Sequence, residues 1–297
     1  MLPATFTPKF LAQLELLRLR SRRAFLGTRQ GGHVSPKRGH GIEFSDYRQY
    51  ELGDNPRHID WGVYARSDRL YVKRFQEEQD LSLLIFLDNS ASMFNPTAEG
   101  SDNTKWQLAC DLALAIAYVA LIEQDTVVIA LSDGKVTPHF SGARAIHQLA
   151  AFISTVKPHQ FHESGKAMKR ALSSVRFPGV AVLISDLLME PIEIETMLRL
   201  LRAKNFDANV LQVLGTDDRT PLPNAEACIA IDSETGSEVE ITMTEAARTQ
   251  YEFLLQRHIE HIKALCSSNQ MRYLRTEVGE SLPHFVTKQL AGSGLLG

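Results

Sequence analysis

The alternation of apolar and polar residues predicts strands and helices in turn over most of the chain. Two apolar runs, residues 81–87 and 180–185, are nearly continuous, which is typical of strands buried on both faces of a parallel sheet. Shorter apolar runs predict three further strands at 126–131, 208–214 and 271–275. Helical periodicity predicts helices at 105–123, 143–156, 166–175, 192–204, 245–267 and 282–290. This order predicts an α/β fold with a doubly wound, mainly parallel sheet.

The first 79 residues follow a different pattern. Residues 10–25 carry leucines on one face of a predicted amphipathic helix, and the glycine-rich residues 27–41 predict a loop. Residues 42–80 mix aromatic residues, charges and turn signals, which predicts short irregular strands. We therefore divide the chain into an amino-terminal segment, residues 1–79, and an α/β domain, residues 80–297.

Aromatic residues are frequent in the irregular part of the amino-terminal segment. Phe44, Tyr47 and Trp61 are expected to pack against the α/β domain and to make this segment part of its fold. Because buried aromatic rings contribute strongly to core stability, removal of the segment is expected to leave an unstable domain.

Polar residues follow the two buried strands at the points where these strands end. Asp88, Ser90 and Ser92 come directly after the first strand, and Asp186 follows the second. In a doubly wound sheet these two strands are expected to be neighbours, and ligands bind at the carboxyl ends of such strands. Carboxylate and hydroxyl oxygens suit Mg²⁺ or another divalent cation. The alternative that the two serines only cap the next helix stays open.

Composition limits the classes of partner and the location. The net charge of −3 excludes a general polyanion binder, although residues 1–48 hold nine Lys/Arg and three Asp/Glu. We interpret these basic residues as a solvated face, which makes nucleic-acid binding an alternative only. The three cysteines have no metal-type spacing, and we expect neither a signal peptide nor a transmembrane segment. These features predict a cytoplasmic protein.

Enzyme motifs are not found in the sequence. A phosphatase with an aspartyl nucleophile at Asp88 needs a second carboxylate two residues later, where this chain has Ser90. Ser164-Gly165-Lys166 resembles the end of a phosphate-binding loop, but Gln160 replaces the earlier glycine. We therefore predict a non-catalytic binding module without a small-molecule substrate. A metal-dependent, phosphatase-like hydrolase is the alternative from another class.

Two sets of residues resemble known families. The Asp-x-Ser-x-Ser motif at residues 88–92, with Asp186, resembles the metal-ion-dependent adhesion site of von Willebrand factor type A domains. The upstream residues are similar to the signature of the bacterial "domain of unknown function 58" family, namely residues 41–50, Gly53-Asp54, Arg57, Ile59-Asp60-Trp61 and Val72-Lys73-Arg74-Phe75. The resemblance extends over roughly residues 10 to 290 and identifies the chain as a member of this family.

The resemblance implies a type A-like domain behind a characteristic amino-terminal segment, with no established catalytic activity. It also implies an adaptor role together with a MoxR-type AAA+ ATPase. Carried over from type A domains, Asp88, Ser90, Ser92 and Asp186 would hold the divalent cation, and a carboxylate of the partner would complete its ligand shell.

One position departs from the pattern of type A domains. These domains use a threonine ligand in a loop before a helix, and alignment on Ala171-Leu172 places Lys166 there. A shifted alignment offers Ser164 instead. If Lys166 points inward, its ammonium would pair with Asp88 and Asp186 and take the place of the cation.

Overall fold

The computed structural model describes residues 2–22, 43–76, 81–95, 104–159, 164–175, 179–219, 227–233, 236–242 and 244–297. Its helices are α1 (Pro8–Leu14), α2 (Trp61–Ser67), α3 (Ala91–Phe94), α4 (Lys105–Ile122), α5 (Ile146–Ser154), α6 (Ser164–Ser174), α7 (Pro191–Ala203), α8 (Thr216–Arg219), α9 (Glu245–Ser268), α10 (Leu282–His284) and α11 (Ala291–Ser293). Its strands are β1 (Glu43–Gln49), β2 (Tyr71–Gln76), β3 (Ser82–Leu87), β4 (Thr126–Leu131), β5 (Gly179–Ser185), β6 (Asp207–Leu214), β7 (Ala227–Ile231), β8 (Glu238–Thr242) and β9 (Arg272–Glu277). A π-helix, Phe285–Leu290, joins α10 to α11.

Five parallel strands form the central sheet in the order β4-β3-β5-β6-β9. Each of the strands predicted from an apolar run in the α/β part of the chain is present, and the predicted doubly wound, mainly parallel fold is confirmed. Beyond this sheet, β7 and β8 form an antiparallel pair.

Side chains alternate along the central strands and build one hydrophobic core on each face of the sheet. Leu83, Ile85 and Leu87 of β3 face the core that α4, α5 and the carboxyl-terminal helices cover. Leu84 and Phe86 face the core that α6, α7 and α9 cover. The sheet is therefore covered on both faces, which leaves its edges and its strand ends to contact solvent and ligands.

Helix α4 is buried on nearly all sides. By length and composition it could cross a bilayer, and 78% of its residues are buried inside the protein. We expected no transmembrane segment because charged residues, among them Asp111 and Glu123, interrupt the apolar residues between 108 and 131. A helix that is apolar all round belongs either in a membrane or in a core, and its packing in this structure accounts for its composition.

The chain divides into two compact units, residues 1–23 with 81–297 and residues 24–80. The proposed boundary at residue 79 is therefore corrected, since the amino-terminal helix belongs with the α/β sheet. Phe10 and Leu14 of α1 are buried in the core of that unit. Helix α1 ends at Leu14, before the predicted end at residue 25, and Leu19 farther along the chain forms a β-bridge with Leu296. The predicted loop at 27–41 lies outside the described residues.

The second unit contains an antiparallel pair, β1 and β2, with α2 between them in sequence. Asp60 caps α2 by accepting hydrogen bonds from the amides of Gly62 and Val63, and the hydroxyl of Tyr47 donates to its other oxygen at 3.0 Å. The prediction that Tyr47 and Trp61 are buried is wrong, because they are 39% and 60% exposed. The side chain of Phe44 lies outside the described part of the chain.

Candidate functional site

The carboxyl ends of β3 and β5 bring the four predicted site residues together. The two strands are parallel neighbours, so Asp88 and Asp186 lie at the same edge of the sheet, as predicted. The hydroxyl of Ser92 donates to Asp186 Oδ2 at 3.1 Å, and the hydroxyls of Ser90 and Ser92 are 3.1 Å apart. We call Asp88, Ser90, Ser92 and Asp186 the strand-end cluster.

Asp88 is a buried hydrogen-bond acceptor, with an exposure of 2%. Its Oδ1 accepts from the amide of Ser90 at 3.0 Å and from the hydroxyl of Ser132 at 3.1 Å. Its Oδ2 accepts from the hydroxyl of Ser185 at 2.7 Å. These donors belong to the segments that follow β3 and β4 and to the end of β5. The carboxylate thus connects three neighbouring strand ends.

A buried ammonium completes the cluster, and it belongs to Lys105, the first residue of α4. Its Nζ donates to Asp186 Oδ2 at 2.7 Å and to Asp218 Oδ1 at 3.1 Å, and the residue is 4% exposed. Burial alone lowers the pKa of Lys105, but the charges and hydrogen bonds of the two carboxylates outweigh this and raise the pKa above its ordinary 10.5. Lys105 is therefore a cation at neutral pH.

The sequence contained signals for Lys105 and Asp218 that our reasoning missed. Thr104 caps α4 by accepting from the amide of Gln107, so Lys105 lies in the first turn of the helix. A lysine there opposes the helix dipole and needs an acidic partner nearby. Asp218 follows β6 by four residues, at the same edge of the sheet as Asp88 and Asp186. The rule that located those two acids would also have located Asp218.

Lys166 does not supply the ammonium that pairs with Asp186. It is exposed on the first turns of α6 and lines a cleft with a volume of about 210 Å³. The other lining residues are Ser132, Asp133, Gly134, His159, Ala167 and Arg170, and we call this the basic cleft. Ser164, the alternative at this position, is buried with an exposure of 3% at the start of α6.

The basic cleft adjoins the strand-end cluster through Ser132, which lines the cleft and also bonds to Asp88. Among the lining residues that the structure describes, Asp133 is the one acidic residue. The ammonium of Lys135 lies 2.7 Å from the Asp133 carboxylate. Burial alone raises the pKa of Asp133, but the hydrogen bonds and charge of Lys135 outweigh it and lower the pKa.

The segment after β5 is held by two hydrogen bonds to its backbone. Gln212 donates to the carbonyl of Asp186 at 2.8 Å, and Nε2 of His258 lies 2.7 Å from the carbonyl of Leu187. Leu187 has a φ of 54°, a left-handed conformation that is unfavourable for leucine. These contacts fix the position of Asp186. His258 is therefore half-buried and bonded.

Comparison with known proteins gives the family. A family model described as "Protein of unknown function DUF58" matches residues 46–261. The chain belongs to this family. It is also 28% identical over 251 residues to the uncharacterized protein Rv1480 of Mycobacterium tuberculosis, which covers 82% of this chain and 77% of that protein. The membership inferred from the signature residues is confirmed.

Solved structures are similar to this DUF58 protein in fold. The BatB protein of Bacteroides thetaiotaomicron has a TM-score of 0.45 and 15% identity, covering 72% of this chain and 98% of that chain. The SpRpn10 VWA domain has a TM-score of 0.40 and 11% identity, covering 71% and 95%. The likeness concerns the fold alone, which is von Willebrand factor type A-like.

The expected cytoplasmic location is contradicted and is withdrawn. A similar solved structure is described as an aerotolerance-related membrane protein from Bacteroides fragilis, with a TM-score of 0.44 and 16% identity over 72% of this chain and 98% of that chain. The expectation rested on cysteine content and on the first residues. Neither distinguishes a cytoplasmic protein from a membrane-associated one, and we assign the DUF58 protein no location.

The divalent cation implied by the type A resemblance does not fit this arrangement. Asp186 Oδ2 accepts from both Ser92 and Lys105, and Oδ1 accepts from the amide of Leu188 at 3.2 Å. Mg²⁺ needs oxygens at about 2.0–2.1 Å in near-octahedral geometry, and a nearby ammonium repels it. Within the described ranges, no group of three or more His, Cys, Asp or Glu residues could hold a metal ion.

Proposed function

We propose that this DUF58 protein is a non-catalytic interaction module that binds an acidic segment of a partner protein in the basic cleft. A MoxR-type AAA+ ATPase is the candidate partner, following the family resemblance. The observation that carries the proposal is the set of basic side chains, Lys166, Arg170 and His159, beside the strand-end cluster.

Charge complementarity supports an acidic ligand. Lys166 and Arg170 are separated by four residues on α6, which puts both on the same side of the helix, toward the cleft. Asp133, the acidic lining residue, already has Lys135 as its partner. A carboxylate that enters this cleft therefore meets the basic side chains of Lys166 and Arg170. Such complementarity speeds association and favours acidic partners over basic ones.

The position of the cleft supports a role in recognition. It lies at the carboxyl-end edge of the sheet, where α/β folds bind their ligands. Its lining residue Ser132 is held by Asn89, whose backbone N–H donates to the Ser132 hydroxyl at 3.0 Å. The basic side chains are thus presented beside a rigid, hydrogen-bonded edge, which lowers the entropy cost of binding.

The state of the strand-end cluster supports a non-catalytic role. An aspartyl phosphatase needs an accessible carboxylate as nucleophile and an acid/base partner. Asp88 is 2% exposed and accepts hydrogen bonds from Ser90, Ser132 and Ser185, and Ser90 stands where the second acid would be. The hydroxyl of Ser92 donates to a carboxylate that the ammonium of Lys105 already neutralises.

The basic amino-terminal residues contribute to the fold where the structure describes them. Arg18 lies 3.7 Å from Glu123, and the amide of Arg22 donates to Asp207 Oδ2 at 2.7 Å. These contacts support our interpretation of this region as a solvated, structural face. They give nucleic-acid binding no support beyond composition.

Isothermal titration calorimetry with a purified MoxR-type ATPase from the same bacterium tests the proposal. The double variant Lys166→Glu/Arg170→Glu should bind at least about 10-fold more weakly, because two attractive charges become repulsive. Lys169→Glu is the matched control, since Lys169 is exposed on the same helix but does not line the cleft. If the wild-type protein and the double variant bind the ATPase with equal affinity, the cleft is excluded as the binding site. If the wild-type protein shows no binding when it is in 100-fold molar excess over the ATPase, this partner is excluded.

A further inference from the structure

We propose that Lys105 is the resident cation of the strand-end cluster, and that its ammonium replaces the divalent ion of type A-like sites in this chain. The inference is independent of the proposed function, because it concerns the charge inside the cluster and not the ligand of the basic cleft.

The geometry of Asp186 carries the inference. Its Oδ2 lies 2.7 Å from Lys105 Nζ and 3.1 Å from the hydroxyl of Ser92. The ammonium of Lys105 therefore contacts the same carboxylate oxygen as the hydroxyl of Ser92. A metal ion shared by Ser92 and Asp186 would lie in a similar position. An ion bound between Ser92 and Asp186 would have to displace Lys105 from a site where it is 4% exposed.

A second carboxylate fixes the ammonium from the other side. Asp218 lies 3.1 Å from Lys105 Nζ, and its Oδ2 accepts from the amide of Gly215 at 2.7 Å. Its backbone carbonyl accepts from the hydroxyl of Tyr251 at 2.6 Å. The start of α4, the end of β6 and helix α9 together position this ion pair. Lys105 is therefore a built part of the fold and not a mobile side chain that a metal would easily displace.

The charges inside the cluster agree with this role. The carboxylates bonded to the ammonium are those of Asp186 and Asp218, and both raise the pKa of Lys105, whose charge also acts on Asp217 and Tyr251. Asp186 is buried and Asp218 is partly buried, and two carboxylates at such a site are stabilised by a positive charge between them. In type A-like sites a metal ion provides that charge, and here the chain provides it. The cluster should therefore keep its structure in the presence of a chelator.

Removal of the ammonium should convert the cluster into a site that needs a metal. Lys105→Met keeps an apolar chain of similar length and leaves Asp88, Asp186 and Asp218 with the serine hydroxyls. These are hard oxygen ligands that suit Mg²⁺ and Mn²⁺. The variant should be less stable than wild type in EDTA, and Mg²⁺ or Mn²⁺ should restore part of the loss.

The test is thermal unfolding and calorimetric titration with Mg²⁺ and with Mn²⁺, for the full chain. The wild-type protein should show no shift of Tm between EDTA and 5 mM ion, a concentration well above the range of typical protein sites (about 1 mM). Lys105→Met should show a clear rise of Tm with ion, and its affinity should exceed that of wild type at least about 10-fold. Lys135→Met is the control, because it removes a lysine paired with Asp133 outside the cluster.

Lys105→Met leaves Asp186 and Asp218 without their cation, so the double variant Lys105→Met/Asp218→Asn is measured beside it. This variant has one negative charge fewer and should fold, and it should still gain ion binding. Sub-millimolar Mg²⁺ or Mn²⁺ binding by the wild type that Asp186→Asn abolishes would overturn the inference. Folded Lys105 variants that bind no ion would overturn it as well.

Discussion

At the residue scale, the carboxylate of Asp88 and the ammonium of Lys105 stabilise the edge of the sheet in different ways. Asp88 accepts hydrogen bonds from neutral donors of three strand ends. Lys105 instead balances the charges of two carboxylates. Loss of either group leaves buried polar partners without their bonds, and the penalty for such orphaned groups exceeds the net value of a hydrogen bond.

The first prediction concerns Asp88. Asp88→Ala should lower the free energy of unfolding by about 3 kcal/mol, because it orphans the hydroxyls of Ser132 and Ser185 and the amide of Ser90. Urea unfolding followed by circular dichroism measures the change. Glu195→Ala is the control, since it breaks an exposed pair with Arg199 and should cost less than about 1 kcal/mol. Equal effects of the two changes would show that Asp88 has no structural role.

The second prediction concerns the pH dependence that Lys105 imposes. Its pKa is raised in the folded protein, so its contribution to stability is complete below the ordinary pKa of 10.5 and is lost as pH rises through the folded value. Urea midpoints should therefore fall more steeply above pH 10.5 for wild type than for the double variant Lys105→Met/Asp218→Asn. If the urea midpoints of the two proteins fall in parallel as pH rises, the raised pKa of Lys105 is contradicted.

At the element scale, close contact between β5 and its neighbours explains why this strand begins with glycine. A Cβ on Gly179 would lie 2.6 Å from the carbonyl oxygen of Ser82 and 2.5 Å from Phe206. Ser82 is the partner of Gly179 across the β3–β5 ladder, so the obstructing oxygen is backbone. The two strands that carry Asp88 and Asp186 could not pair in this register with a larger residue.

The third prediction follows from that contact. Gly179→Ala should reduce the free energy of unfolding by about 2 kcal/mol, because the backbone of β3 must shift to relieve the overlap. Gly292→Ala should be close to neutral, since nothing lies within 4 Å of a Cβ built there. Chemical denaturation of both variants gives the comparison. A neutral Gly179→Ala would show that the strand pair adapts more easily than the contacts indicate.

At the scale of the whole molecule, the two ends of the chain meet. The amide of Arg18 donates to the carbonyl of Gly297 at 3.2 Å, and the amide of Gly297 donates to the carbonyl of Arg18 at 2.9 Å. Leu19 and Leu296 are both buried where these segments pair. The amino-terminal residues thus close the core of the α/β unit, although residues 24–80 of the other unit separate them from it in sequence.

The fourth prediction tests this closure with two leucines of one segment. Leu14 is fully buried, whereas Leu16 is 83% exposed. Leu14→Ala should cost about 3 kcal/mol of stability, because it leaves a cavity in the core that contains the sheet. Leu16→Ala should change stability by less than about 0.5 kcal/mol. Comparable effects of the two changes in urea unfolding would mean that the amino-terminal segment is not part of this core.

The sequence by itself determined the strands and helices of the α/β part, the parallel sheet and the meeting of Asp88, Ser90, Ser92 and Asp186. These follow from local periodicity and from the rule that parallel strands end at one edge. Only the tertiary structure decided that Lys105 pairs with Asp186 and Asp218, and that α1 belongs with the sheet. The reason is that a lysine reaches its partner through space, across distances along the chain of 81 and 113 residues. Local sequence patterns do not show such long-range pairings. The positive charge in the strand-end cluster nevertheless depends on these pairings.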